Sequence, residues 1–200
     1  MKMFFSGGSP FVRKVSVVAL ELGLEIEHLP SAANPVTRDQ AIIAENPLGQ
    51  VPTFIADDGT VLYDSRVICE YLDSLAGGGK IFPATGPARW TALVEHSLAD
   101  GILSAALLAR YESTLRPEEK RWDGWMNGQM DKVRTGLDAL EAKVEGFGGR
   151  LDIGTIGVGC ALGYLDFRFG DLGWRATRPK LAAWFEQFGA RSSMAATVPK

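Results

Sequence analysis

Hydrophobic and polar positions follow two different periods along this chain, and the change of period divides the chain in two. The first part has short apolar runs, which predict strands, at residues 2–5, 24–29, 53–56 and 61–63. Between them, apolar residues recur every three or four positions and predict helices from Pro10, near Asp39 and from Arg66. The predicted order is strand, helix, strand, then a helix, then two strands and a helix.

No strand pattern follows the glycine-rich break at residues 77–79. Helical spacing predicts helices over 88–111, from Pro117 to Val144, over 152–169 and over 179–189. The segment 152–169 is apolar nearly all round, which is typical of a helix at the centre of a bundle. The pattern therefore predicts an α/β domain over 1–76, a linker over 77–87 and an all-α domain over 88–200.

Composition and charge exclude several classes of protein. The chain has 200 residues and a net charge of -3, with acids and bases mixed along it. No basic block indicates a nucleic-acid partner. The apolar run at the start is too short for a signal peptide, and no stretch was expected to reach the ~20 apolar residues that span a bilayer. We expect a cytoplasmic protein with no nucleic-acid or membrane partner.

The cysteines and histidines form no pattern that is typical of a metal site or a catalytic triad. Cys69 and Cys160 are the only cysteines and lie in segments predicted to be buried helices, so we expect two free thiols. His28 and His96 are the only histidines, and neither has a cysteine or carboxylate at metal-ligand spacing. Neither lies near a candidate nucleophile. The sequence therefore predicts no metal site and no Ser-His-Asp triad.

The segment Asn46–Phe54 is the most informative part of the sequence. Pro52 follows the β-branched Val51 at the head of an apolar run, and it has no N–H to give to a sheet. A tight entry to a strand is where a cis X–Pro bond is expected. Such a bond would leave the N–H and C=O of Val51 free to pair with an extended, peptide-like ligand.

Two helix starts are candidates for the rest of such a site. Asp64-Ser65 precedes the helix from Arg66, and Ser9 precedes Pro10. The free N–H groups and the dipole at a helix start suit an anionic group. On the local pattern alone, a plain helix cap is the favoured explanation of each pair.

The order and spacing of several motifs resemble those of the cytosolic glutathione S-transferases, and most closely the small bacterial members. The motifs are Ser9 to Val15, Asn46 to Pro52, Asp64 to Leu72, Gly163 to Arg168 and Pro179 to Trp184. The resemblance covers essentially the whole chain. It implies a thioredoxin-like N-terminal domain, an all-α C-terminal bundle and a homodimer. It also implies glutathione as co-substrate, with no other cofactor.

The resemblance also assigns roles. It implies that Ser9 stabilises the thiolate of glutathione, with Ser6 as the alternative. It implies that Pro52 is cis, that Val51 pairs with the cysteinyl part and that Asp64-Ser65 holds the γ-glutamyl end. Gln50 belongs to the same glutathione-binding loop.

The expected second substrate is a small hydrophobic electrophile, in a pocket between the domains where the loop after Ser6 meets the long helix. Leu103, Leu107, Arg110 and Tyr111 follow one face of that helix and are the candidates to line it. Packing or solvation within the bundle explains the same four residues equally well. The sequence does not name the electrophile.

Two other functions remain open. Some relatives of the transferases are non-catalytic adaptors that bind a protein partner. Others use the same thiolate for glutathione-dependent isomerisation or dehalogenation. Retention of Ser9, the Val51-Pro52 pair and Asp64-Ser65 together favours the transferase.

Overall fold

The computed structural model describes residues 1–199, which form two compact units. One unit contains Met1–Trp90 and the segment that begins at Ser192, and the other contains Thr91–Arg191. The predicted fold class, a thioredoxin-like α/β domain followed by a helical bundle, is confirmed. The units divide inside the long helix instead of at the predicted linker over 77–87. The end of the predicted domain 88–200 returns to the first unit, and Lys200 lies outside the described residues.

The first unit is built on a four-stranded sheet with three helices. Its strands are β1 (Lys2–Phe5), β2 (Glu27–Pro30), β3 (Thr53–Ile55) and β4 (Val61–Leu62), in the order β2-β1-β3-β4. The three helices that lie among these strands or directly after them are α1 (Pro10–Leu22), α2 (Gln40–Glu45) and α3 (Ser65–Leu75). The strand β1 is parallel to β2, and β3 is antiparallel to both of its neighbours. The helices α1 and α3 pack together, and Met3, Val15, Phe54, Ile68 and Leu72 are fully buried.

The glycine-rich segment after α3 is organised around one carboxylate. Asp73 is 3% exposed and accepts hydrogen bonds from four backbone N–H groups, at 2.8–3.2 Å. The donors are Gly79, Lys80, Ile81 and Phe82. A carboxylate that accepts several N–H groups fixes the chain that provides them. The segment predicted as a linker is therefore an ordered part of the first unit.

The second unit consists of helices. They are α4 (Gly86–Thr114), which begins in the first unit, α5 (Asp123–Lys143), α6 (Ile153–Arg168), α7 (Trp174–Thr177) and α8 (Pro179–Gly189). A last short helix, α9 (Ser192–Ala196), belongs to the first unit. Every residue of α6 from Ile153 to Leu165 is buried, as its sequence predicts. Gly154 permits this burial, because a Cβ there would lie 2.9 Å from the carbonyl oxygen of Ala92.

Asp152 and Thr155 form the cap at the start of α6. The Asp152 carboxylate accepts from the N–H of Thr155 at 3.0 Å, and the Thr155 hydroxyl accepts from the N–H of Asp152 at 3.1 Å. This is a complete capping box. Cys69 and Cys160 are buried and are not joined in a disulfide, as predicted.

Helix α4 corrects one expectation from the sequence. Within residues 1–199 it is the one helix that is long and apolar enough, by length and composition, to cross a bilayer. Of its most apolar stretch, 56% is buried inside the protein. A core helix of a globular domain passes the same test, so the observation is weak evidence for a membrane.

Two elements begin later than predicted. The strand predicted over 24–29 is observed as β2, Glu27–Pro30. The helix predicted from Pro117 is a short 3-10 turn at Glu118–Lys120, and α5 begins only at Asp123. The buried Glu112 accounts for the second difference, because it accepts from the N–H of Trp122 at 2.9 Å and from Nε of Arg116 at 2.8 Å. The N–H of Trp122, and then Arg116, lower the pKa of Glu112.

Candidate functional site

The strand register brings the three predicted motifs to one end of the sheet. Phe4 pairs with Thr53, and Phe54 pairs with Leu62. The end of β1 and the end of β4 therefore both lie beside the start of β3. The loop to α1, the loop before β3 and the segment entering α3 consequently meet at this edge, which we call the sheet end.

The loop before β3 is held from inside by Asn46. This residue is 1% exposed. Its side chain donates to Oγ1 of Thr53 at 2.9 Å and to the carbonyl of Gln50 at 3.4 Å, and it accepts from the N–H of Leu48 at 3.0 Å. Gly49 turns the chain with φ +63°, a conformation that favours glycine. The loop shape is thus fixed by buried hydrogen bonds.

Val51 is presented by that loop as predicted. The Val51–Pro52 peptide bond is cis, which confirms the prediction. Val51 is half-buried, Pro52 is buried and Gln50 is exposed. Within the described part of the chain, neither the N–H nor the C=O of Val51 has a hydrogen-bond partner. These two groups can pair with an extended ligand, as an additional strand would.

Asp64 and Ser65 form the start of α3. The exposed Asp64 is the N-cap, and its Oδ1 accepts from the N–H of Arg66 at 2.9 Å. Its second carboxylate oxygen has no hydrogen-bond partner among residues 1–199. Ser65 is 2% exposed and is the first helical residue, one position earlier than predicted. The peptide bond between Tyr63 and Asp64 is also cis.

Ser9 is the N-cap of α1. Its Oγ accepts from the N–H of Val12 at 3.3 Å. The N–H of Ser9 donates to the carbonyl of Ser6 at 3.0 Å, which closes a turn over Gly7-Gly8. Accepting the cap bond uses a lone pair and leaves the O–H proton available to donate. The cap interpretation and the functional interpretation of this half-buried serine are therefore compatible.

One cation beside this loop was not foreseen from the sequence. The guanidinium of Arg38 donates to the carbonyl of Pro47 at 2.8 Å and passes close to Gly49. Arg38 is exposed and has a positive φ of 44°. No motif in the sequence indicated a role for Arg38. Only the folded loop places its charge beside the sheet end.

A cavity of about 870 Å³ lies elsewhere in the first unit. Ser6, Gly7, Arg13, Leu20, His28 and Val198 are among the residues that line it. Ser9, Val51, Asp64 and Ser65 do not. This cavity is therefore not the predicted site, although Ser6 and Gly7 are near both. Among the described residues, no group of three or more His, Cys, Asp or Glu side chains is arranged to hold a metal ion.

In the second unit the candidate residues for the second substrate differ in exposure. Leu103 is 0% exposed, so it belongs to the core and offers no surface to a ligand. Leu107, Arg110 and Tyr111 are each partly exposed. Burial raises the pKa of Tyr111, and the charge of Arg110 lowers it. Sequence reasoning therefore placed one core residue among the contacts.

The charge of Arg110 on α4 affects the pKa values of two residues of α6, which were not among the residues predicted from the sequence. They are Tyr164 and Arg168. Burial raises the pKa of Tyr164, while the charges of Arg110 and Arg168 lower it. Partial burial and then the charge of Arg110 lower the pKa of Arg168. No sequence signal links these residues to α4, because the fold alone brings the two helices together.

Comparison with known proteins gives the same family throughout. Residues 3–80 match the family model "Glutathione S-transferase, N-terminal domain", and residues 123–187 match "Glutathione S-transferase, C-terminal domain". The chain is 33% identical to the uncharacterized GST-like protein YibF of Escherichia coli (strain K12), over 100% of this chain and 98% of that protein.

The fold also matches solved structures closely. A crystal structure of a glutathione transferase family member from Pseudomonas fluorescens Pf-5, with bound glutathione, has a TM-score of 0.97 and 46% identity. The match covers 100% of this chain and 98% of that one. A second structure from the same organism, with bound S-(propanoic acid)-glutathione, has a TM-score of 0.92, 45% identity and full coverage of both chains. Family models, a full-length relative and solved structures agree, and the chain belongs to the glutathione S-transferase family.

Proposed function

We propose that the protein binds glutathione at the sheet end and transfers it, as the thiolate, to small hydrophobic electrophiles. The observation that carries this proposal is the set of groups left available there. They are the backbone N–H and C=O of Val51, one carboxylate oxygen of Asp64 and the hydroxyl proton of Ser9. A Pseudomonas fluorescens Pf-5 relative of the same fold holds bound glutathione.

Glutathione supplies a matching partner for each group. Its cysteinyl N–H and C=O pair with the Val51 backbone in the manner of an added strand, beside Gln50 and the buried Pro52. Its γ-glutamyl ammonium pairs with the carboxylate of Asp64, and its α-carboxylate meets the hydroxyl of Ser65 and the start of α3. The Asp64 carboxylate thus suits the ammonium group of the γ-glutamyl end, and the start of α3 suits its α-carboxylate.

Ser9 would act on the sulfur. A thiol of pKa ~8.5 is only a few per cent ionised at pH 7, and the thiolate is the nucleophile. A hydroxyl at the start of α1 donates to the sulfur anion more strongly than to the neutral thiol. It therefore lowers the thiol pKa. Ser6 is the alternative donor.

The thiolate then attacks an electrophilic carbon. A sulfur–carbon bond forms, and the leaving group departs with its electron pair. With an epoxide or an activated double bond, the carbon–oxygen bond or the π bond breaks instead, and the resulting anion takes a proton from water. Leu107, Arg110 and Tyr111 are the partly exposed candidates to contact this second substrate. The proposal further includes that the protein is a homodimer, that it is cytoplasmic and that it acts in detoxification.

Two variants at Asp64 test the binding half of the proposal. Asp64→Asn keeps a good helix cap but removes the charge, whereas Asp64→Ala removes both. Wild type is expected to bind glutathione at millimolar or better affinity. Loss of the charge-assisted contact should weaken binding in both variants by about 1.5–3 kcal/mol, or roughly ten- to a hundred-fold. Asn should retain wild-type stability and Ala should lose about 1 kcal/mol.

Calorimetry with glutathione and urea denaturation measure the two effects separately. Unchanged glutathione affinity in both Asp64 variants would refute the assignment of the γ-glutamyl end. Turnover is then measured with a panel of aryl halides, epoxides and Michael acceptors. Glutathione binding without turnover of any of them would refute the transferase half of the proposal.

A further inference from the structure

The cavity of about 870 Å³ in the first unit has no role in the proposed glutathione transfer. Residues of α1, residues 24–28 at and before β2, and residues 196–198 at the end of α9 form its walls. All of these segments belong to the first unit, so the cavity lies within one compact body. Its volume falls in the range of sites that hold small organic molecules, roughly 300–1,000 Å³.

Most of the cavity wall is apolar. The aliphatic residues that line it are Val12, Ala19, Leu20, Leu24, Ile26 and Val198. Val12 and Ala19 are buried, whereas Leu20 is 49% exposed and Val198 is 56% exposed. Apolar surface on two opposite segments is therefore in contact with water. A ligand with an apolar chain would remove this surface from water, which is favourable.

The buried polar group of the wall is the guanidinium of Arg13. Arg13 is 6% exposed, and it donates through Nη2 to the carbonyl of Met194 at 3.0 Å and through Nε to Oγ1 of Thr197 at 3.3 Å. Its Nη1 is buried and has no hydrogen-bond partner among residues 1–199. This nitrogen carries two N–H donors. Both acceptors that Arg13 does have are neutral, so neither compensates its charge.

The other charged groups around the first unit are better accommodated. Arg89 reaches Glu70 at 2.9 Å. The acids that line the cavity, Glu25 and Glu27, are exposed, and Glu27 lies 3.5 Å from the Lys2 ammonium. Exposed acids interact only weakly with a ligand because water and salt screen them. Of the described lining residues, Arg13 is therefore the buried ion that lacks a counter-charge.

We propose that this cavity binds a carboxylate joined to an apolar chain, with the acid at Nη1 of Arg13 and the chain against the aliphatic wall. A carboxylate supplies both the missing acceptor and the missing negative charge. Because Nη1 is itself buried, the acid reaches it by displacing the side chain of Thr197, which lines the cavity. This site is separate from the sheet end and does not depend on the proposed transferase function.

Calorimetry with octanoate, and with its neutral amide octanamide, tests both parts of the ligand. Wild-type protein should bind octanoate at least tenfold more tightly than octanamide, because only the acid carries a charge for Arg13. The affinity should fall about fourfold for each methylene removed between octanoate and butanoate. Saturating glutathione should leave the affinity for octanoate unchanged, since none of Ser9, Val51, Asp64 and Ser65 lines the cavity.

Ser16→Leu tests the location without touching Arg13. Ser16 lines the cavity from α1, and its hydroxyl donates to the carbonyl of Val12 at 3.1 Å. Leucine suits a helix and fills part of the cavity, so octanoate should bind at least tenfold more weakly. Ser74→Leu is the matched control, because the exposed Ser74 of α3 donates to the carbonyl of Tyr71 at 2.6 Å outside the cavity. It should bind octanoate as wild type does.

Arg13→Gln tests the acid contact and should remove the preference for octanoate over octanamide. Arg89→Gln removes the same charge from the same unit outside the cavity and should keep the preference. Thr197→Val should bind octanoate at least as tightly as wild type, because the ligand displaces its hydroxyl. Thermal unfolding of each variant shows whether the fold is intact. If Arg13→Gln does not fold, the comparison of Ser16→Leu with Ser74→Leu still decides the location.

Three results would each overturn the inference. They are equal affinity of wild type for octanoate and octanamide, unchanged octanoate binding in a folded Ser16→Leu variant, and displacement of octanoate by glutathione. Absence of octanoate binding at millimolar concentration would overturn it as well. None of these results bears on whether glutathione itself binds at the sheet end.

Discussion

The sheet end differs in construction from four side chains at the ends of α4 and α6, namely Arg110, Tyr111, Tyr164 and Arg168, which we call the arginine–tyrosine cluster. At the sheet end, the groups offered to a ligand are mostly backbone groups and helix caps, and buried side chains such as Asn46 hold the loops that present them. In the cluster, the polar groups are side chains of α4 and α6, which are regular helices. The sheet end therefore depends on the exact path of the backbone. The cluster depends only on which residues lie on two packed helices.

This difference determines how substitutions should act. A change in the scaffold of the sheet end alters both stability and ligand binding, because the same hydrogen bonds serve both. A change in the cluster removes only one side chain from a regular helix and should leave the fold intact. Three substitutions test the contrast.

The largest effect is expected for Asn46→Ala. It removes the acceptor of the Leu48 N–H and both donors that hold Gln50 and Thr53, at a position that is 1% exposed. Losing these hydrogen bonds and the packing of the buried Asn46 side chain should lower the free energy of unfolding by about 2–4 kcal/mol. Glutathione affinity should fall with it, because the loop presents Val51. Urea denaturation and calorimetry measure the two losses.

Asp58→Ala is the control for Asn46→Ala. Asp58 also bonds a backbone N–H, that of Thr60 at 2.9 Å, but in an exposed hairpin turn. A loss of only about 0.5 kcal/mol is expected there. Equal losses in the two variants would show that the loop at Asn46 is no more tightly held than a surface turn.

The next effect concerns Ser9. If its hydroxyl stabilises the bound thiolate, Ser9→Ala should raise the apparent pKa of bound glutathione by about one unit. Conjugation at pH 7 should then fall about tenfold and partly recover at alkaline pH, with glutathione affinity nearly unchanged. The ultraviolet thiolate band and the pH dependence of conjugation follow this shift.

Ser9→Gly separates the catalytic role from the cap. Glycine caps a helix almost as well as serine but has no hydroxyl, so it should match Ala in activity and wild type in stability. Ser6→Ala should have a smaller effect on the thiolate pKa. A normal pH profile in both Ser9 variants would leave Ser9 as a cap only.

The smallest effect is expected for Tyr164→Phe in the absence of ligand. Its hydroxyl is buried and unpaired, so removing it should leave stability unchanged or raise it by about 1 kcal/mol. Thr155→Val is the contrast, because it removes a buried hydroxyl that is fully paired in the capping box of α6 and should cost about 1–2 kcal/mol. Thermal unfolding that showed equal losses would mean that the Tyr164 hydroxyl has a partner in solution.

The same contrast explains what the sequence could predict. The sheet end is encoded in contiguous motifs, so the cis bond at Pro52, the cap at Asp64 and the cap at Ser9 followed from local patterns. The cluster joins residues of α4 to residues of α6, and no local period records which helical faces will meet. Sequence reasoning consequently chose Leu103, which is buried and offers no surface to a ligand.

The predicted starts of two elements were wrong because groups distant in the sequence determine them. The periodicity around Trp122 suits a helix, but the Glu112 carboxylate binds the Trp122 N–H and delays α5 to Asp123. The alternation from Leu24 suits a strand, but pairing with β1 begins only at Glu27, opposite Lys2. Both decisions depend on contacts between segments, which an apolar period does not contain.

The return of α9 to the first unit has a consequence for the order of events during synthesis. Arg13 of α1 is 6% exposed, and its guanidinium donates to the carbonyl of Met194 at 3.0 Å and to the hydroxyl of Thr197 at 3.3 Å. Those acceptors follow the whole of the second unit along the chain. Although domains generally fold in turn from the N-terminus, this one cannot be completed until the second unit has been synthesised. The first unit is therefore completed only after the second unit has been made.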